Sequence, residues 1–561
     1  AAATQCVFTT HTPVAAGHDA FDVGLFGSCF AGYAEEFAVT PERLLDLGRS
    51  AEAPYRFNMT RLALNGARRI NGVSRIHGAV SARLCAEHWP EVTPAENPVG
   101  YVTNGVHVPT FLAQAWVRFL DTQLGTDWTE RLSERDYWRG LERVPDVAYW
   151  ENAQRVKARM LDGVRTRLNR EYASKGLNPA QLRHITRLLD PERPDVLTLG
   201  FARRFATYKR AALLLRDRTR LSRLVHAAGR PVLFLFAGKA HPADHPGQQL
   251  VREIKQLMLA PEFAGHVVFL EDYDLRLARW LVTGVDVWLN NPVAPLEASG
   301  TSGIKAAVNG RLNLSILDGW WAEGFERDNG WGIAGADVQD EGRRDLLDAA
   351  AIYDALEEEV VPLYYARNGA GYSPEWVRRS KRAMMTVIPD FNMGRVVRDY
   401  ASGLYYPAAR HYERLMRDGP AAAEAFTAWK RRVRAAWAAV SLRARSDDAP
   451  RELPRAGLLR LSVAAQLGTL DSDDVLVEFV GQRVLPRSRS APPALSAFRG
   501  EGDDAWRALL RPTGEREEDG AQVYALEAVP PDSGQFAYEI RIYPWHELLA
   551  HPLEMGLLRR L

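Results

Sequence analysis

The chain predicts an α/β fold: a parallel sheet covered by helices on both faces, with an all-β domain appended. Three observations carry this. Between Pro194 and Gly335, apolar runs alternate with helix-like segments, the pattern of a parallel sheet buried on both faces. Residues 340–445 read as helices rich in Ala, Leu, Arg and Glu. After Ser446-Asp447-Asp448-Ala449-Pro450 the chain turns to strand-like runs separated by turn residues, which predicts a β-sandwich-like domain.

The elements follow in order. The first 190 residues mix strand and helix signals less regularly. They open on an apolar run, Cys6-Val7-Phe8-Thr9-Thr10. In the alternating region, Val196-Leu197-Thr198-Leu199-Gly200-Phe201 precedes a helix expected from Tyr208 to about Val225. Pro231 to Gly238 precedes a helix near Gly247 to Leu259, and His266 to Leu270 precedes one near Leu275 to Val282. Strands near Val285 and Leu312 complete the series, and ligands of such sheets bind at the carboxyl ends of the strands. Runs at Arg460, Asp474, Val523 and Phe536 form the terminal β-domain, and Arg487 to Pro493 reads as a loop. The domain boundaries expected are 1–190, 191–400, a helical segment 401–447, and 455–561.

Composition narrows the function. A length of 561 residues allows two to four domains. A formal net charge of +1 argues against a general nucleic-acid or acidic-membrane binder. Cys6, Cys29 and Cys85 have no metal-ligand spacing and read as reduced thiols of a cytoplasmic protein. No apolar run reaches the length of a membrane span. With no initiator methionine and no signal peptide, the chain reads as a fragment lacking its natural start, with exposed apolar surface expected on its first 190 residues.

Two motifs carry chemistry. Lys305 is one of only eight lysines and ends the run Glu297-Ala298-Ser299-Gly300-Thr301-Ser302-Gly303-Ile304-Lys305. The run follows an apolar strand and opens a helix. Small residues let the backbone approach a ligand, and their N–H groups at a helix start suit a phosphate. A lysine amid Ile304, Ala306, Ala307 and Val308 has its pKa lowered by burial, which frees the amine for Schiff-base chemistry. Pyridoxal 5'-phosphate needs that combination. The spacing alone equally fits a surface lysine on an amphipathic helix. The second motif, Arg203-Arg204-Phe205-Ala206-Thr207-Tyr208-Lys209-Arg210, clusters four cations at a strand's carboxyl end. Arginine suits bidentate phosphate binding and lysine acts as a point charge. The alternative is a solvated basic helix start, which the helix dipole disfavours unless an anion sits there.

Glu297 to Gly319 resembles the pyridoxal-phosphate segment of the glycogen and maltodextrin phosphorylases, most closely the short bacterial α-glucan type. The match includes the Asp318-Gly319 that follows at the family interval; Ser302-Gly303-Ile304 departs from the family's Gly-Asn-Met. The resemblance implies a two-lobed glycosyltransferase B-type (Rossmann-like) fold. Residues 1–190 would be the remainder of an amino-terminal glucan-binding lobe, and 191–400 the cofactor lobe. The family's glycine-rich loop would lie before this chain, leaving the amino-terminal lobe incomplete and the fragment's own activity open. The implied reaction is retaining release of α-D-glucose 1-phosphate from α-1,4-glucan by inorganic phosphate. In it the phosphate of the cofactor exchanges a proton with the substrate phosphate.

By the same resemblance, Lys305 carries the cofactor, with Thr301, Ser302, Arg203 and Tyr273 around it. Arg203 replaces a family lysine, and Asp274 stands where animal members have arginine. Arg204 and Lys209 would bind phosphate, and Tyr208 would touch the sugar. His11, in Phe8-Thr9-Thr10-His11-Thr12-Pro13, and Asn104, in Val102-Thr103-Asn104-Gly105-Val106, would contact the glucosyl unit. Glu297, Ser299 and Gly300 would hold sugar hydroxyls. The stretch Asn71 to His77 also matches, in a structural role. No metal, nucleic acid or membrane is implied, and a homo-oligomer is compatible. The rival readings are a nucleotide-sugar glucosyltransferase of the same fold and a non-catalytic glucan-binding fragment.

Overall fold

The computed structural model describes residues 1–14, 17–50, 52–445, 452–454, 457–484 and 505–561. The segment 446–450 and the expected loop Arg487 to Pro493 lie outside them. The chain divides into two compact units, one of residues 1–73, 77–101 and 399–561, the other of residues 74–76 and 102–398.

The second unit is built on a six-stranded sheet. Its strands are β6 (Leu197–Ala202), β7 (Val232–Ala237), β8 (Val267–Leu270), β9 (Val287–Asn290), β10 (Leu312–Ile316) and β11 (Gly330–Ile333), in the spatial order β11-β10-β9-β6-β7-β8. All pairs are parallel. Every residue of β6 to β10 is buried, which explains why these strands read as unbroken apolar runs and not as alternating ones. The 29-residue helix Asp146–Ser174 packs Met160, Leu161, Val164 and Leu168 into the same core. The strand order reverses between β6 and β9. Such a switch point opens a crevice at the strands' carboxyl ends, and both motifs begin there.

Helices at His245–Leu259, Leu275–Gly284 and Thr301–Ala307 lie where the sequence places them. The expected helix from Tyr208 to Val225 is different. It is broken into a 3-10 turn at Thr207–Lys209, another at Leu214–Arg216, and an α-helix only at Arg218–Val225. The break is at Arg210, whose backbone is left-handed (φ 49°). Its buried guanidinium donates to the carbonyls of Asn291 and Pro292 and to Asp345, while Asn291 Nδ2 donates to its own carbonyl. Those tertiary bonds outweigh the local helix preference.

In the first unit, β1 (Val7–Thr9), β4 (Arg69–Gly72) and β5 (Val99–Tyr101) form a parallel sheet, and β2 (Ala20–Asp22) pairs with β3 (Arg56–Asn58). Phe21, Leu25, Phe30, Tyr33 and Phe37 are exposed. The terminal strands are β12 (Ser441–Ala444), β13 (Leu459–Gln466), β14 (Val475–Arg483), β15 (Trp506–Arg516), β16 (Gln522–Ala528), β17 (Phe536–Pro544) and β18 (Arg559–Arg560). They pair antiparallel in the order β12-β13-β16-β15-β14-β17-β18. Helix residues Phe426, Trp429 and Val433 share a core with Val463, Val477 and Ile542 of these strands.

Candidate active site

The loop after β6 is pinned by its apolar residue. Phe205 is fully buried among Phe201 and Phe269, and its N–H donates to the Lys239 carbonyl at 3.0 Å. The cations on either side are thereby held at the crevice. Arg203 Nη2 donates to Glu297 Oε2 at 2.6 Å, and its other terminal nitrogen donates to Asn290 Oδ1. Lys209 Nζ reaches the two Glu297 oxygens at 3.3 and 3.2 Å and lies 4.9 Å from the Tyr208 ring centre. Arg204 is exposed and has no ion pair among the described residues.

The electrostatics follow from this crowding. Burial works against the charge of Glu297, but Arg203 and Lys209 outweigh it and hold the carboxyl below its usual range. Burial, with Arg203 and Arg204 nearby, brings Lys209 down to about 8 despite Glu297. Three cations outnumber Glu297 and the buried Asp318 carboxyl behind it, which leaves the crevice positive, as an anion site requires. Arg203 Nε and Ser299 Oγ are buried without a hydrogen-bond partner among the described residues. Buried polar groups are normally satisfied, so these two are open to a ligand.

The loop after β9 carries Glu297 and leads into the helix Thr301–Ala307. Gly300, at its start, has φ 82°, a conformation that glycine adopts without strain. Ser302 Oγ accepts from Trp288 Nε1 at 3.2 Å, and Thr301 is half-buried. The Lys305 amine lies 4.2 Å from the ring centre of Phe111 and has no hydrogen bond or ion pair among the described residues. Burial lowers its pKa. Asn309 fixes this contact by donating to the carbonyls of Phe111 and Lys305 and accepting from the Ala113 N–H. A desolvated, unpaired amine fits the lysine that pyridoxal phosphate needs.

Tyr273, half-buried, directs its hydroxyl to the Ala202 carbonyl at 3.5 Å, at the end of β6. Asp274 caps the next helix, accepting from the Leu277 N–H and pairing with Arg167. Asn104 is half-buried on a loop held by Arg395, which donates to the Thr103 carbonyl at 2.6 Å, and by Glu323, which accepts from Thr103 Oγ1 at 2.7 Å. It makes no hydrogen bond to the Glu297 cluster. His11 is exposed after β1, in the other compact unit.

Residues 40–328 match the carbohydrate phosphorylase family model, and 437–561 match that of the glycogen phosphorylase C-terminal domain. The chain belongs to the carbohydrate phosphorylase family. It is 37% identical to a glycogen phosphorylase of Mycobacterium bovis over 99% of this chain and 63% of the relative. It is 34% identical to a maltodextrin phosphorylase of Thermococcus litoralis over 99% of this chain and 62% of the relative. A glycogen phosphorylase of Aquifex aeolicus is 40% identical over 71% of this chain and 57% of the relative. The chain thus spans less than two thirds of the length of these relatives.

Within this phosphorylase-family chain, sequence reasoning missed several residues that shape the site. Asn290 orients Arg203, and its only signal was a polar residue ending an apolar strand. Ser74, in the stretch given a structural role, donates to the Ala298 carbonyl at 2.7 Å. Buried Asp318 accepts from the Glu297 and Gly319 N–H groups, both at 2.8 Å. Glu297 differs in emphasis from its expected sugar contact, because both its oxygens are engaged by cations. His77 is fully buried, with Nδ1 accepting from the Val73 N–H at 3.1 Å.

Proposed function

We propose that this chain carries the phosphate and cofactor residues of an α-1,4-glucan phosphorylase that releases α-D-glucose 1-phosphate from glycogen or maltodextrin. The carrying observation is the pairing of Arg203 and Lys209 with Glu297 at the switch point, with Arg204 exposed on the same loop and the amine of Lys305, unpaired among the described residues, on the helix that follows Glu297. The relatives named glycogen phosphorylase and maltodextrin phosphorylase support the same reading. A two-lobed glycosyltransferase B-type arrangement and a cytoplasmic setting with free thiols belong to this reading.

The chemistry divides among the residues. Lys305 would hold pyridoxal 5'-phosphate, with Thr301, Ser302, Arg203 and Tyr273 around it. When bound, that group supplies a phosphate able to exchange a proton with the substrate phosphate. Arg204 and Lys209 would bind inorganic phosphate and stabilise the charge that develops as the glycosidic bond breaks. Glu297 holds Arg203 and Lys209 together in place, and its remaining lone pairs, with Ser299 Oγ and Gly300, would be available to sugar hydroxyls. Tyr208, Asn104 and His11 would complete the glucosyl contacts.

Borohydride reduction of the pyridoxal-loaded chain should label Lys305 in peptide mapping, and Lys305→Ala should lose the cofactor absorbance. Label on another lysine would overturn the assignment. Assay of glucose 1-phosphate release from maltodextrin, beside titration with a sugar nucleotide, separates phosphorylase from glucosyltransferase.

A further inference from the structure

We propose that Asp318 is a positioning residue of the phosphate site, acting through Glu297 to hold Lys209 where it binds the anion, with Arg203 beside it. The inference rests on the phosphate reading above and adds a residue to it.

Asp318 follows β10, whereas Glu297 sits on the loop after β9. One carboxylate joins the two loops: Oδ2 accepts from the Glu297 N–H and Oδ1 from the Gly319 N–H, each at 2.8 Å. A second bond runs alongside, from the Trp320 N–H to the Ser299 carbonyl at 2.8 Å. The loops meet backbone to backbone. Gly319 has φ 53°, and a Cβ there would come within 2.4 Å of the Ser299 carbonyl oxygen. The root of the Glu297 side chain is therefore fixed by Asp318, while its tip carries both cations.

The chemistry requires a carboxylate. Two N–H groups face two acceptor oxygens, and an amide would set its own N–H₂ against one of them. Asp318 is 1% exposed and forms no ion pair among the described residues. Burying such a group is costly unless hydrogen bonds offset it, and burial pushes the carboxyl up to about 7 against the two backbone donors. A group kept at that cost, touching neither cation itself, fits a clamp on the residue that does.

The test is calorimetric titration of the full chain with inorganic phosphate, beside maltodextrin affinity, pyridoxal content and melting temperature. Asp318→Asn should weaken phosphate binding by about tenfold, the worth of one hydrogen bond to a charged group, while maltodextrin affinity and pyridoxal content, which draw on Glu297 and Arg203 only in part, fall by a clearly smaller factor. Gly319→Ala keeps the carboxylate but forces the loops apart, and should act in the same direction. It decides the matter if Asp318→Asn does not fold. Asp318→Asn combined with Glu297→Gln should lose less than the sum of the two, because both act on one contact. Unchanged phosphate affinity in the folded variants, or equal losses for phosphate and maltodextrin, would overturn the proposal. If Arg204→Ala and Lys209→Ala also leave phosphate binding unchanged, the phosphate reading itself fails. If they weaken it while Asp318→Asn and Gly319→Ala do not, only the role of Asp318 falls.

Discussion

Lys209 is almost buried between one carboxylate and two guanidinium groups, and that environment makes its charge sensitive to alkali. Its pKa lies near 8, below the usual lysine range, so the proton with which it would attract phosphate is present below that pH and lost above it. The phosphate dependence of kcat/KM, which reports the free enzyme, should therefore decline as pH rises through about 8. Lys209→Arg should abolish that alkaline limb, since a guanidinium stays protonated. An unaltered limb in that variant would assign it to another group. Arg204 is exposed and has no ion pair among the described residues, and Arg204→Ala should cost roughly 1.5–3 kcal/mol of phosphate binding, about ten- to a hundredfold, with pyridoxal content preserved. At this scale the sequence displayed which side chains stand at the loop ends, because loop cations and a lysine in apolar company are visible in one dimension. That Glu297 would bind Arg203 and Lys209 was not visible, because those residues lie some ninety positions apart.

The helix Thr301–Ala307 is seated by Gly303. A Cβ at that position would fall 2.5 Å from Asn313 Oδ1 and 3.0 Å from Trp320 Nε1. Asn313 is itself tied to the Gly303 carbonyl at 3.1 Å. Gly303→Ala should displace the helix, cost about 1–3 kcal/mol as overpacking does, and reduce borohydride labelling of Lys305. Urea unfolding and peptide mapping read the two effects, and wild-type labelling would show that the helix absorbs the methyl group. The strands at this scale were legible because burial on both faces writes an unbroken apolar run. The helix expected from Tyr208 was misread because nothing in the helix-like run up to Val225 signals a break at Arg210, whose left-handed turn is set by partners far along the chain.

Across the whole chain there are two compact units with separate cores, so unfolding should depart from a two-state transition. The second unit holds several buried ion pairs, one of which joins its long helix to its sheet. Lys157, in the long helix, pairs with Asp286 at the entry to β9, and both are nearly inaccessible. Asp286 also accepts from the Thr198 N–H at 2.9 Å, and Lys157 donates to Tyr364 at 3.1 Å. Asp286→Ala leaves a buried ammonium uncompensated and should cost about 3–5 kcal/mol. Calorimetry should show the transition of that unit lowered and the other unmoved. A uniform shift of the whole profile would mean that the two units unfold together.

By itself the sequence determined the alternation of strand and helix, the carboxyl-end position of both motifs, and the residue types available to a phosphate and to a cofactor amine. These are local properties, written by apolar periodicity and by small or charged residues at element ends. Only the tertiary structure decided the strand order that brings the loops after β6 and β9 to one switch point, the burial that depresses Lys209 and Lys305, and the bonds from Asn290 and Asp318 that orient the charged residues. It also decided that the first unit is assembled from residues 1–73, 77–101 and 399–561. Each of these depends on residues far apart in the chain, and a linear pattern does not say which distant groups share one low-dielectric space.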